Sequence, residues 1–185
     1  MRRFAEHICP KRLACFDCRK VFKTGAMLAM LMIVLSGCFA AGGHPSAATL
    51  LNNFQTNRAD FERLLQMFME DPQLGRVAYD FTRPASLEAA QVDVPTARLN
   101  QYRALFTKLN LSAGIEGYGD KRTVWFIAST QGLSIGGSAK GYAYAVERPE
   151  LVVEDIDHYR SEDGRSFTAY QLIEGNWYLY FDYED

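Results

Sequence analysis

Cysteine is missing from everything after position 38. The chain beyond that point therefore forms no internal disulfide, and its fold must be held by burial alone. Histidine is scarce as well: of the three in the chain, only His44 and His158 lie beyond position 38. A zinc site there would need carboxylates from distant segments. Asp155, Asp157 and His158 are close in sequence but point apart on a helix, so neither a metal nor any other cofactor is expected. No G-x-S-x-G elbow and no G-x-x-x-x-G-K-[ST] phosphate loop occurs. Positive charge is also short. Seven of the 20 Lys+Arg and two of the 22 Asp+Glu fall in residues 1–24, which leaves 13 bases against 20 acids and a net charge near −7 for residues 38–185. The last 37 residues hold ten acids against Arg160 and Arg165. Such a surface repels phosphate backbones, which excludes nucleic acid as the expected partner. A long apolar run is lacking too. The uncharged stretch 25–35 has eleven residues, about half of the ~20 needed to cross a bilayer as a helix.

What is there begins with a leader. Residues 1–24 are basic, 25–35 (GAMLAMLMIVL) are apolar, and small residues follow at Ser36 and Gly37. That order is the pattern of a secretory signal peptide. Leu35-Ser36-Gly37-Cys38 resembles the lipobox of bacterial lipoproteins. The resemblance implies cleavage between Gly37 and Cys38 and acylation of the Cys38 sulfur. Acyl chains at about 0.8 kcal/mol per buried methylene hold a domain at a membrane. In lipoproteins of bacteria with two membranes, aspartate after the cysteine favours inner-membrane retention. Phe39 stands there instead, which implies the outer membrane, with the domain on the periplasmic face. The basic segment contains Cys15-Phe16-Asp17-Cys18, a spacing able to ligate zinc or run redox chemistry, but it is expected to leave with the leader. A start at Val21 would give a more compact leader. The expected organisation is a signal peptide at 1–37, an acylated cysteine and flexible tether at 38–48, and one globular domain at 49–185.

The domain reads as α+β, with N-terminal helices packed on one face of an antiparallel sheet. Ser46 caps a first helix to about Met69, with Leu50, Phe54, Phe61, Leu65 and Phe68 on one stripe. Pro95 opens a second helix that buries Leu99, Tyr102, Leu105, Phe106 and Leu109 and closes at Asn110. A long connection, 72–94, separates them, with a short helix expected near Leu87–Ala90. From Gly114 the period is two. Thr123–Thr130 is a strand turned by Gln131-Gly132; Leu133–Ile135 and then Gly141–Glu147 continue as strand, broken by a bulge or bend at Gly136-Gly137. Pro149–Tyr159 reads as a helical crossing. Ser166–Ile173 and Trp177–Tyr183 form a hairpin around Glu174-Gly175-Asn176. Trp177, Leu179, Phe181 and Tyr183 should meet the helices. Tyr178 and Tyr180 then lie on the other face, which is either partly covered or open to a ligand.

The residues expected to contact a ligand or partner are Glu116, Ser138, Lys140, Tyr178 and Tyr180, and no catalytic set is assigned. The expected function is a non-enzymatic, lipid-anchored binding or accessory domain whose partners are the membrane, through its anchor, and an envelope protein or cell-wall component. Two alternatives stand beside it. One is an envelope hydrolase acting on cell-wall or lipid substrate, using Glu116 with Asp120 as paired carboxylates or Ser138 as nucleophile. The other rests on Gly136–Tyr142 (GGSAKGY), which resembles the serine- and lysine-bearing loop of the membrane-bound lysozyme inhibitors. By that resemblance Ser138 and Lys140 would enter a muramidase cleft.

Overall fold

The structure is a computed structural model and describes residues 43–85, 94–133 and 136–185. The lipobox, Cys38 and the short helix expected near Leu87–Ala90 lie outside the described residues. Two helices and seven strands are described: α1 (Ala47–Glu70), β1 (Leu74–Val77), β2 (Thr82–Pro84), α2 (Thr96–Leu109), β3 (Gly114–Glu116), β4 (Thr123–Leu133), β5 (Gly136–Ala145), β6 (Phe167–Glu174) and β7 (Trp177–Glu184). The strands form one antiparallel sheet in the order β2-β1-β3-β4-β5-β7-β6. The fold is α+β.

Both helices form where their end signals lie. The Ser46 side chain accepts a hydrogen bond from the Thr49 N–H at the start of α1. Asn110 ends α2 in the left-handed conformation, its N–H reaching the carbonyls of Phe106 and Thr107. Asn57 breaks the helical dihedrals of α1 while its amide donates to the Asn53 carbonyl and side chain. Asn53 in turn donates to the Leu109 carbonyl at 2.8 Å and to the Tyr142 hydroxyl at 2.9 Å. The kink thus sits where one amide ties α1 to the end of α2 and to β5.

The carbonyls at the end of α1 are satisfied by side chains from two other segments. Arg98 reaches the Met67 carbonyl, Glu70 and Asp71. The Tyr102 hydroxyl bonds the Met67 carbonyl and Asp71. Lys121, only 3 % exposed, donates to the carbonyls of Phe68 and Asp71 and lies 3.7 Å from the centre of the Phe68 ring. Three cationic or polar donors at a helix C-terminus complement both its unpaired carbonyls and its dipole.

Alternate residues of the strands build two separate clusters. Val124, Phe126, Tyr142, Trp177 and Leu179 belong to the main core with Phe54, Phe61 and Phe68 of α1 and Tyr102 and Phe106 of α2. Trp177 stands 5.2 Å from both Phe54 and Phe126, centre to centre. The residues between them, Ala143, Ala145, Tyr178 and Tyr180, cluster with Tyr170, Trp125, Ala139 and Val152.

Several expectations are corrected. Gln131-Gly132 is not a turn: β4 runs through it, and Gly132 pairs with Gly137. Gly132 has φ +109° and a Cβ there would come within 2.4 Å of the Gly136 carbonyl oxygen, so glycine keeps the strands close. The irregularity expected at Gly136-Gly137 lies elsewhere. The β4–β5 register shifts between Ile127 and Ser129. Opposite, a Cβ on Gly141 would sit 2.0 Å from the Phe126 carbonyl oxygen. The bulge and the glycine together bend the sheet there. Pro149–Tyr159 is not helical; it crosses in irregular form with a parallel bridge from Val152 to Tyr170 on the outer strand. The connection after α1, for which no strand was expected, supplies β1 and β2.

Candidate functional site

Two groups of polar side chains occur on opposite faces of the sheet. The first surrounds His44. Its Nδ1 lies 2.6 Å from Ser129 Oγ and its Nε2 lies 2.7 Å from Ser138 Oγ. The ring meets Phe181 edge-on at 5.5 Å. Lys140, 4 % exposed, pairs with Asp157, whose other oxygen accepts the Ala47 N–H at 2.8 Å. Burial and then the Lys140 charge push the His44 imidazole below its ordinary value. A cavity of about 300 Å³ beside it is lined by His44, Ser46, Lys140, Ile156, Asp157, Arg160 and Phe181. Neither serine lines that cavity. The imidazole is held between two hydroxyls, so its evident effect is to fix the start of the folded unit onto β4 and β5.

The second group forms a trough on the other face, beside the β4 register shift that follows Ile127. Its volume is about 310 Å³ and its lining comprises Arg76, Glu116, Trp125, Ile127, Thr130, Ala139, Thr168, Tyr180 and Asp182. Cross-strand register places the polar members. Arg76 on β1 faces Glu116 on β3, and Glu116 faces Trp125 on β4. Thr168 on β6 faces Asp182 on β7. The Arg76 guanidinium bonds Glu116 at 2.8 Å, with each side chain about one-fifth exposed. Its Nε is buried without a hydrogen-bond partner. Thr168 donates to Asp182, and the Trp125 indole donates to the Tyr170 hydroxyl at 3.3 Å. Tyr180 is 3 % exposed and lines the trough, and no described residue bonds its hydroxyl. Burial, followed by the charges of Asp182 and Glu116, raises its ionisation well above the ordinary tyrosine value. It is a neutral phenol at any physiological pH.

The five expected contact residues are therefore divided. Glu116 and Tyr180 meet in the trough. Tyr178 is on the same face but buried against Ala143 and Tyr170. Ser138 and Lys140 belong to the His44 side. Glu116 and Asp120 do not form a carboxylate pair: Glu116 is turned to Arg76, while Asp120 accepts from the Arg122 N–H near the surface. Ser138 and Lys140 are strand residues with their side chains engaged inside the protein, not a projecting loop. Four of these residues were missed from the sequence. Arg76 fell in a segment read as a connection, Trp125 was read only as part of a strand, Asp182 fell among acids read as plain surface, and His44 in the tether. Among the described residues no group of three or more His, Cys, Asp or Glu is placed to hold a metal ion, and no helix is long and apolar enough to cross a membrane.

No protein-family model, no curated protein and no solved structure matches this chain.

Proposed function

We propose that this chain is a lipid-anchored protein of the cell envelope, held through Cys38 at the periplasmic face of an outer membrane, whose domain binds an envelope component without turning it over. The lipobox resemblance supports the anchor. The trough supports the binding: Arg76, Glu116, Trp125, Tyr180 and Asp182 converge on one cavity. A small concave site with a few convergent polar groups is the usual form of a binding site.

The test uses the full-length, anchored protein. A photo-crosslinking amino acid at Thr130, on the exposed rim of the trough, should give a discrete envelope adduct. The same probe at Glu62 on the outer side of α1 should not. Equal labelling from both positions, or none from either, overturns the binding site. Metabolic acyl labelling that persists in Cys38→Ala overturns the anchor.

A hydrolase is the second reading, because Ser138 lies within hydrogen-bond reach of an imidazole. It requires covalent labelling of Ser138 by a fluorophosphonate, lost in His44→Ala. A purified protein that shows no such label removes this alternative.

A further inference from the structure

The trough's lining narrows the class of its ligand. Apolar ligands fit it poorly. An acyl chain in this cavity would desolvate Glu116, Asp182 and the partly exposed Arg76 guanidinium without bonding any of them. Anionic ligands fit poorly as well. Glu116 already engages the Arg76 guanidinium, and Asp182 adds a second carboxylate. The lining is therefore net negative, on a domain that is itself acidic. Phosphate, sulfate and carboxylate groups are repelled.

A ligand that suits these atoms carries both donors and acceptors and no negative charge. It needs acceptors for the partly exposed Arg76 guanidinium and for the Tyr180 O–H, and donors for the remaining lone pairs of Glu116 and Asp182. It also needs a flat or ring-shaped apolar side, because Trp125, Ile127 and Ala139 form the apolar part of the lining. The Trp125 indole is held in place by its bond to Tyr170 and is presented as a fixed surface. A pyranose ring meets all three demands: hydroxyls on its rim donate and accept, and its axial C–H face lies against an indole. The cavity, about 310 Å³, is at the lower end of the roughly 300–1,000 Å³ of small-molecule sites. That is room for a short stretch of sugar rings and not for a lipid.

We propose that the trough formed by Arg76, Glu116, Trp125, Tyr180 and Asp182 binds a neutral saccharide segment, with a sugar ring against Trp125. The proposal rests on the binding reading above and names its ligand class. Neutral sugar rings occur both in cell-wall glycan and in surface polysaccharide, and the two sources are told apart by the probe. Tri-N-acetylchitotriose represents the N-acetylated glycan strand and maltotriose a plain neutral glucan.

Intrinsic fluorescence of the full-length protein in detergent provides the readout. Trp177 is buried among aromatic rings, so a sugar in the trough alters Trp125 alone. At least one of the two trisaccharides should give a saturable change. Trp125→Phe should abolish that change. Asp182→Asn and Tyr180→Phe, followed by calorimetry with their far-ultraviolet spectra unchanged, should each weaken binding several-fold or more. A polyanion of similar size, trigalacturonate, should bind at least tenfold more weakly. Spermidine binding more tightly than both sugars would mean a cationic ligand and overturn the proposal. No saccharide binding while Thr130 still crosslinks to an envelope component would overturn the saccharide and leave the binding reading standing. No binding and no crosslink would end both. Saccharide binding unchanged in Trp125→Phe and Asp182→Asn would place the sugar elsewhere and overturn the site.

Discussion

The chain has two tryptophans, and their surroundings separate the two faces of the sheet. Trp177 is packed by Phe54, Phe61, Phe126 and Tyr144 and is 5 % exposed. Trp125 sits partly open beside Glu116, Arg76 and Tyr180, its indole N–H tied to Tyr170. Both are strand residues of one sheet. Trp177 clusters with Phe54 and Phe61 of α1 and Tyr102 and Phe106 of α2 in the main core, as burial of apolar area requires. The other face carries charge and hydroxyls around a hollow that no described side chain fills. The same period of two that makes a core on one side lays out a site on the other.

The sharpest way to break this comparison is to truncate each tryptophan. Trp177→Ala removes a ring from a close-packed aromatic cluster and should cost about 3–5 kcal/mol, seen as a large fall in the urea midpoint. Trp125→Ala should cost no more than about 1 kcal/mol while removing ligand binding. Similar losses of stability from both would mean that the second face is ordinary core.

Lys121 offers the next largest effect. It is buried against Phe68 and bonds two carbonyls at the end of α1. Burial lowers its pKa to about 8, against about 10.4 in an unfolded chain. Between these values the unfolded state holds more protons than the folded one, so stability rises with pH. Tyrosines set the opposite trend above pH ~10. Tyr142 is pushed up to about 12 and Tyr102 is raised further by burial and by Asp71. Each stays protonated in the fold after it would ionise unfolded, so stability then falls. Chemical denaturation at steps from pH 7 to 11 should show a rise, then a decline. Lys121→Met should remove the rising part and cost about 1–3 kcal/mol at pH 7, because two carbonyls lose their donor. A variant with wild-type stability and an unchanged profile would contradict the role given to Lys121.

Much of the frame was legible in the sequence because its signals are local. Ser46 and Asn110 announce helix ends through their own side chain or backbone, and the spacing Leu50, Phe54, Phe61, Phe68 is that of one helical stripe. The β6–β7 hairpin was legible because alternation and the Gly175-Asn176 turn agree. What was missed depends on partners far along the chain. β1 and β2 are four and three residues long, too short for alternation to register, and they become strands only by pairing with each other and with β3. Pro149–Tyr159 carries helix-spaced apolar residues, yet its backbone bonds go to Tyr170. Arg76 meets Glu116 through the β1–β3 register, and Thr168 meets Asp182 through β6–β7. Neither pairing can be read from spacing within one segment. Glu116 and Tyr180 were singled out from their own neighbourhoods, but nothing local says that they share a hollow.

His44 is the extreme case of that dependence, since its two hydroxyl partners are 85 and 94 positions away. A histidine among small residues reads as part of a tether, and only the folded sheet turns it into a clasp. The clasp should yield the smallest measurable effect. Burial and Lys140 hold the folded imidazole below its ordinary value of about 6.5. The folded state then binds fewer protons than the free segment. The contribution of the clasp is fully present above pH ~6.5 and is lost as the pH falls through the depressed value. Protonation in place would set an imidazolium beside the Lys140 ammonium, so release is the easier outcome. Cleavage by a protease near Gly43 should accelerate on going from pH 7.5 to pH 5, while the global urea midpoint moves little. His44→Phe keeps a ring against Phe181 but loses both hydroxyl contacts. It should cost about 0.5–1.5 kcal/mol and remove the difference between the two pH values. Persistence of that difference in His44→Phe would assign it to another group, and His44 would then be packing rather than a clasp.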